Sequence, residues 1–468
     1  MPFEFINNNN PPNDATRKRI RSHAALGENK GKRISRPSRK DALRTIITSF
    51  RIPTVKEEAS ETTCKGLYVE RPVDDGLFLS GLLPGESKGL VKKVISFMSS
   101  IRFSSELGNG LDYTGLSTPI CVQYMIFTDA MATAISCLNN LVSKPEGVLQ
   151  AMHHVSHTFR LVNQKLSSQS AVTDLTIGVI VSMAQYEQNQ TQFQQGSVHV
   201  RGLRRITQLR GGMLELTTSS AGLVQKMLRV DLEYSLQLGS PTLFTVEEAL
   251  VGCKTTTPFS SLYPSLVREV HTVILEQHQF KVLPENFRGL LMDMMFLATL
   301  LNNAISGVIP KVDATDFHKD IISLGYRLVK LEPLGLPLGT CSLQNKLHLG
   351  LTAFLTTFLQ GWDGQIPHNE LLSRKLFSEI QTPFLYEQQG SQGILLWLLF
   401  VGATSSGLWK HPAWVSITKH TLNDLEIENW EDVKKVLVRF PWVNAIHDAA
   451  GQALWRGANE GHSDDSLE

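Results

Sequence analysis

"GSVHVRGLRRITQLRGG" (residues 196–212) carries two opposed patterns, and the fold is read from how they separate. With each residue turning about 100°, the segment is expected to put Val200, Leu203, Ile206 and Leu209 on one side. Arg201, Arg204, Arg205 and Gln208 fall on the other. The pattern predicts an amphipathic helix, capped by Ser197, with a core on one side and solvent on the other. Arg210 projects back to the apolar side in the last turn, where a charge is tolerated only if helix carbonyls or a carboxylate bind it. Asp231, in a helix predicted over 223–238, is the expected partner. Gly211 or Gly212 supplies the left-handed conformation that ends the helix.

The same periodicity runs outward from this segment. From about residue 66 the spacing is helical, with few alternating stretches, so the expected fold class is all-α. In "PEGVLQAMHHVSHTFRLVNQKL" (145–166), Val148, Leu149, Met152, Val155, Phe159 and Val162 recur on one helical face. "NWEDVKKVLVRF" (429–440) places Asn429 as an N-cap, acids in the first turn and Lys434 to Arg439 toward the other end, before Pro441. "LLMDMMFLATLL" (290–301) and "ILLWLLFVGA" (394–403) fall short of the roughly 20 residues that span a bilayer and read as buried helices, with no membrane partner. No fixed-period repeat is present, so one continuous helical regulatory domain over 66–460 is expected, followed by a tail over 461–468.

The 468 residues, 42% hydrophobic and 19% charged, suffice for a sizeable core. Net charge is +1, yet residues 1–45 hold 11 Lys and Arg against 4 Asp and Glu. Residues 1–65, with "NNNNPPN" and few aromatics, are expected to form a disordered basic arm. Two basic blocks in it, Arg17, Lys18, Arg19 and Arg21, then Lys32, Arg33, Arg36, Arg39 and Lys40, have the layout of a two-part nuclear import signal or a phosphate-contacting tail. The start "MPFEFINNNN" lacks a charged n-region and apolar h-region, so the chain is expected inside the cell. The five cysteines, Cys64, Cys121, Cys137, Cys253 and Cys341, are too far apart for a local zinc cluster and suit free thiols.

Signals for catalysis are weak. His153, His154 and His157 have helical spacing for a metal, but no third ligand follows and the three face away from the apolar stripe; they read as a solvated face. "GESKG" (85–89) matches the Gly-x-Ser-x-Gly elbow, which makes Ser87 the nucleophile of an alternative reading as a soluble hydrolase. The chain after it lacks strand–helix alternation, so a loop is the expectation. No phosphate loop is present, and neither a cofactor, a metal nor a catalytic residue is expected. The basic face of Arg201, Arg204 and Arg205 has no interleaved aromatic to stack a base and reads as a solvated helix face.

"VHVRGLRRITQLRGGMLEL" (198–216), followed by "KMLRVDLEYSLQLGSPTLF" (226–244), resembles the helical domain of fungal-specific transcription factors, in the branch that also goes under the name of tachykinin family proteins. "FEFINNNNPPNDATRKRIRSHAA" (3–25) resembles the arm of that group, and "LLWLLFVGA" (395–403) and "NWEDVKKVLVRFPWV" (429–443) its C-terminal helices. The motifs occur in the family's order. The chain departs from many relatives in lacking a zinc binuclear cluster. The resemblance implies a nuclear transcription regulator, pathway-specific, with control of a secondary-metabolite gene cluster as one such role. Its implied partners are DNA or a DNA-bound transcription factor, an import receptor and a small-molecule effector. A cytoplasmic helical scaffold with a basic tail is a further alternative.

Overall fold

Five of the described helices begin at short polar side chains that satisfy the first free amides. Thr173 accepts from the amide of Thr176, Asp313 from Asp316, Asn369 from Leu372 and Asn429 from Asp432. Thr245 and Glu248 form a reciprocal capping box. The computed structural model describes residues 107–112, 162, 163, 166, 172–255, 257–359, 366–382 and 391–459. The basic arm, Ser87, the three clustered histidines and the tail after 460 lie outside the described residues, as does most of 145–166.

Among the described residues the fold is all-α, with fifteen helices and two strands of two residues. Helix α1 (Leu107–Gly110) leads into β1 (Leu111–Asp112). Three long helices follow: α2 (Asp174–Asn189), α3 (Phe193–Leu209) and α4 (Met213–Leu238). Next come α5 (Val246–Gly252), α6 (Phe259–Leu262), α7 (Pro264–Glu276) and α8 (Glu285–Ile305). Strand β2 (Val312–Asp313) pairs in parallel with β1, Leu111 opposite Val312. Helices α9 (Ala314–Leu331), α10 (Ser342–Thr356), α11 (Glu370–Ile380), α12 (Ser391–Ser406), α13 (Pro412–Asp424), α14 (Trp430–Leu437) and α15 (Asn444–Asn459) follow among the described residues.

The two long apolar runs are buried helices. In α8, Leu290, Leu291, Met294, Met295 and Leu297 are buried, while Asp293, which interrupts the run, faces out and pairs with Arg327 at 2.6 Å. Helix α12 is apolar on every side, as a central helix must be. It packs against α10, α11, α13, α14 and α15. Its Trp397 lies so close to α10 that a Cβ on Gly350 would overlap the indole ring. Trp397 stacks on Phe440 with centroids 5.2 Å apart and donates Nε1–H to the Pro441 carbonyl at 3.0 Å. No described helix is long and apolar enough to cross a membrane.

One fully buried ion pair joins α10 to the end of α11. The Lys346 ammonium donates to Glu379 Oε1 at 3.0 Å, to the Thr382 carbonyl at 2.9 Å and to Ser342 Oγ at 2.9 Å. The two side chains are 0% and 4% exposed. Burial draws the Lys346 ammonium below its usual range, and Glu379 partly offsets that.

Candidate interaction surface

Helix α3 begins at Phe193, not after Ser197 as its composition suggests. The polar lead-in is helical because Phe193 packs edge-on against Tyr234 of α4, with centroids 5.7 Å apart. Ser197 therefore sits inside the helix and donates its hydroxyl to the Gln194 carbonyl at 2.7 Å. Helix α4 also starts earlier than the predicted 223, at Met213, because Met213 and Leu216 are buried. The hydroxyls of Thr217, Thr218 and Ser219 bond to carbonyls four residues back, so this polar stretch is accommodated in a helix. The backbone departs from helical geometry once, at Ser220.

The turn between α3 and α4 closes as the glycine pair predicts. Gly211 and Gly212 have φ of 90° and 98°. The Gly212 amide donates to the Thr207 carbonyl at 2.9 Å and the Gly211 amide to Gln208 at 3.3 Å, the two bonds of a Schellman motif.

Arg210 does not pair with Asp231. Its guanidinium donates to Asp174 Oδ1 at 2.5 Å, to the Val172 carbonyl at 2.8 Å and to Ser219 Oγ at 3.2 Å. Arg210 thus ties the end of α3 to the start of α2 and the first turns of α4, and it lies at the rim, with 20% of its side chain exposed. Burial would raise the Asp174 carboxyl, but the Ser220 hydroxyl and the Arg210 guanidinium outweigh it and hold it below its usual range.

Asp231 serves a different joint. Its carboxylate accepts from the Leu243 and Phe244 amides, each at 3.0 Å, and from the Tyr326 hydroxyl at 2.7 Å. It therefore secures the loop after α4 and fastens α9 behind it. Burial pushes its carboxyl up, against the pull of the two amides and the Tyr326 hydroxyl. Next to this joint Arg204 pairs with Glu248 and lies over the Phe244 ring, 5.2 Å from its centroid.

Two expectations about the faces of α3 are corrected by this geometry. Nine residues turn a helix by about two and a half revolutions, so Leu209 points opposite Val200 and is 58% exposed. Arg204, four residues after Val200, flanks the buried side and is not part of the solvated basic face. Val200, Leu203 and Ile206 are buried as predicted. The outward face consists instead of Val198, Arg201, Gly202, Arg205 and Leu209, all within about 60° of one direction. Val198 is 57% exposed, and Arg201 and Arg205 are exposed. A Cβ on Gly202 would meet nothing within 4 Å. Among the described residues no carboxylate pairs with Arg201 or Arg205; Arg205 reaches Gln208 at 3.4 Å. Leu214, just past the glycine turn, is 69% exposed.

The apolar ends of this face were hidden in the sequence, where Leu209 counts as core and Val198 as a helix start. An angular projection carried across the full helix finds both. Among the described residues no group of three His, Cys, Asp or Glu side chains is placed to hold a metal. Cys253 is buried and Cys341 exposed, both as free thiols. Comparison of the chain with protein-family models, characterised proteins and solved structures finds no match in any of the three.

Proposed function

We propose that this chain is a nuclear regulator of transcription, in which a basic arm brings a helical regulatory domain to its site of action and the domain works by binding partners. It performs no catalysis in this reading. The observation that carries it is the division of labour on α3. Arg204 and Arg210 are held by carboxylates of the domain, and Arg201 and Arg205 are left facing outward between two exposed apolar residues. A face of mixed apolar and charged character on a rigid helix suits protein recognition. The stretches 198–216 and 226–244, which resemble the fungal transcription-factor domain, form this face and the joint behind it. That resemblance supports the finer reading of a pathway-specific regulator, with a secondary-metabolite gene cluster as its target and a DNA-bound transcription factor, an import receptor and a small effector as its partners.

Chromatin mapping of the tagged chain, with and without residues 1–45, tests the reading. Occupancy at discrete promoters that is lost with the arm is expected. Absence of nuclear enrichment under every growth condition would overturn it and favour a cytoplasmic scaffold. Replacing Arg17, Lys18, Arg19 and Arg21 by Gln, then adding an unrelated import signal, separates the arm's two roles. Restored target expression makes the arm an address. Continued failure inside the nucleus makes it a contact to DNA or to a DNA-bound partner.

A further inference from the structure

We propose that the outward face of α3 is the docking site for an acidic amphipathic helix of a partner protein. The proposal rests on the regulator reading and names the partner's chemistry. Val198 and Leu209 lie eleven residues apart, about 16 Å along the helix, and each leaves more than half its surface in water. Arg201 and Arg205 stand between them without a carboxylate from the described fold. A ligand that satisfies all four positions needs two apolar side chains about three turns apart, with carboxylates between them. A helix with an apolar stripe and an acidic flank has this pattern.

Gly202 fits the same occupant. A glycine in a helix interior weakens the helix relative to alanine. Here it leaves a bare stretch of backbone midway between the arginines, with nothing within 4 Å of the absent Cβ. That gap lets the axis of a second helix come close.

Other occupants fit less well. Nucleic acid would satisfy Arg201 and Arg205 but would seat phosphates against Val198 and Leu209, where neither side gains. A second copy of the chain placed by two-fold symmetry would bring the arginine pair against itself. The chain's own tail over 461–468 is acidic, but Leu467 is its one large apolar residue, too few for two anchors.

The test uses the full chain and three labelled probes. One is a short stapled helical peptide with leucines eleven positions apart and glutamates between them. The second has lysines in place of the glutamates, and the third is a short mixed-sequence DNA duplex. The acidic peptide is expected to bind, more weakly as salt rises, and the lysine peptide not to bind. Arg201→Glu with Arg205→Glu should weaken the acidic peptide by at least about tenfold and admit the lysine peptide, because rim charges select partners by sign. Both arginines are exposed, so the double variant should keep its melting temperature. Gly202→Ala should raise the melting temperature while weakening the acidic peptide, a pair of opposite effects that a purely structural glycine would not give.

No binding of the acidic peptide, or binding indifferent to the charge reversal, overturns the proposal. Duplex binding abolished by the reversal, with no peptide binding, replaces it with a nucleic-acid face. Promoter occupancy without peptide binding would sink the docking site and spare the regulator reading. Peptide binding without nuclear enrichment would do the reverse.

Discussion

Lys346 with Glu379 and Arg210 with Asp174 each fasten one helix to another, yet the two pairs stand in different media. The first is closed off from water, with side chains 0% and 4% exposed. The second lies at a corner where 20% of the arginine and 35% of the aspartate side chain meet solvent. A buried charge has no substitute for its partner, whereas a rim charge can turn to water. The residue pair alone therefore says little about strength, and its surroundings decide.

Breaking the buried pair should have the largest effect. Glu379→Ala strands the Lys346 ammonium and is expected to destabilise the fold by about 3–5 kcal/mol, read as a shift in the denaturant midpoint. The double change Lys346→Met with Glu379→Leu should cost far less, since no charge is left unpaired. If the double variant is the weaker of the two, the comparison fails.

A carboxyl with too little counter-charge gives the middle case. Burial, with Asp316 and Asp293 nearby, pushes Asp320 up to about 6, and Lys319 only partly opposes this. A raised carboxyl binds its proton more tightly in the folded chain, so stability is lost as pH rises from about 4 through 6. Asp320→Asn should stabilise the protein by about 2 kcal/mol at pH 7.5, and the gain should vanish near pH 4. A melting-temperature difference that does not change with pH would contradict this.

At the corner, Arg210→Ala should cost about 1–2 kcal/mol, since three charge-assisted bonds are lost but their partners can reach water. Arg204 is no neutral control, because Glu248 and Phe244 engage it; Arg205→Ala is, and should stay within about 0.5 kcal/mol of the parent. Equal melting temperatures for the Arg210 and Arg205 variants would remove the corner from the comparison. A smaller change than that at Arg210 is the gain from Gly202→Ala, about 0.5–1 kcal/mol, because a mid-helix glycine with open space around it loses only backbone entropy.

What the sequence disclosed follows the range of the interactions. Asn429 as a cap, the Gly211–Gly212 stop and the buried runs of α8 and α12 depend on neighbours within a few residues, and each is where local rules place it. Arg210 was legible as a charge in need of a partner, but its partner depends on how α2 crosses α3. Asp174 and Asp231 offer the same carboxylate, and only packing separates them. Leu209 was misplaced for a geometric reason: steps of three drift by about 60° each, and three of them reach the far side. The outward face was hidden by that same drift. Its limits are set by Arg204, which pairs with Glu248, and by Leu209, which faces solvent.

The short ladder between β1 and β2 sets an order on assembly. Leu111 and Val312 lie 201 positions apart, so their pairing closes a very long loop, and contacts of that separation form late. The α2–α3–α4 corner is joined by turns of a few residues and can form early. During synthesis residues 107–112 must wait until β2 and the end of α8 have been made, since Gly110 packs against Leu301 and Ile305, and Lys311 reaches the Gly108 carbonyl at 3.0 Å. A chain cut before Val312 leaves Leu111, 2% exposed in the complete fold, without the strand that pairs with it. Nascent and truncated forms are therefore expected to leave Leu111 exposed, an apolar side chain that is covered only once β2 has been made.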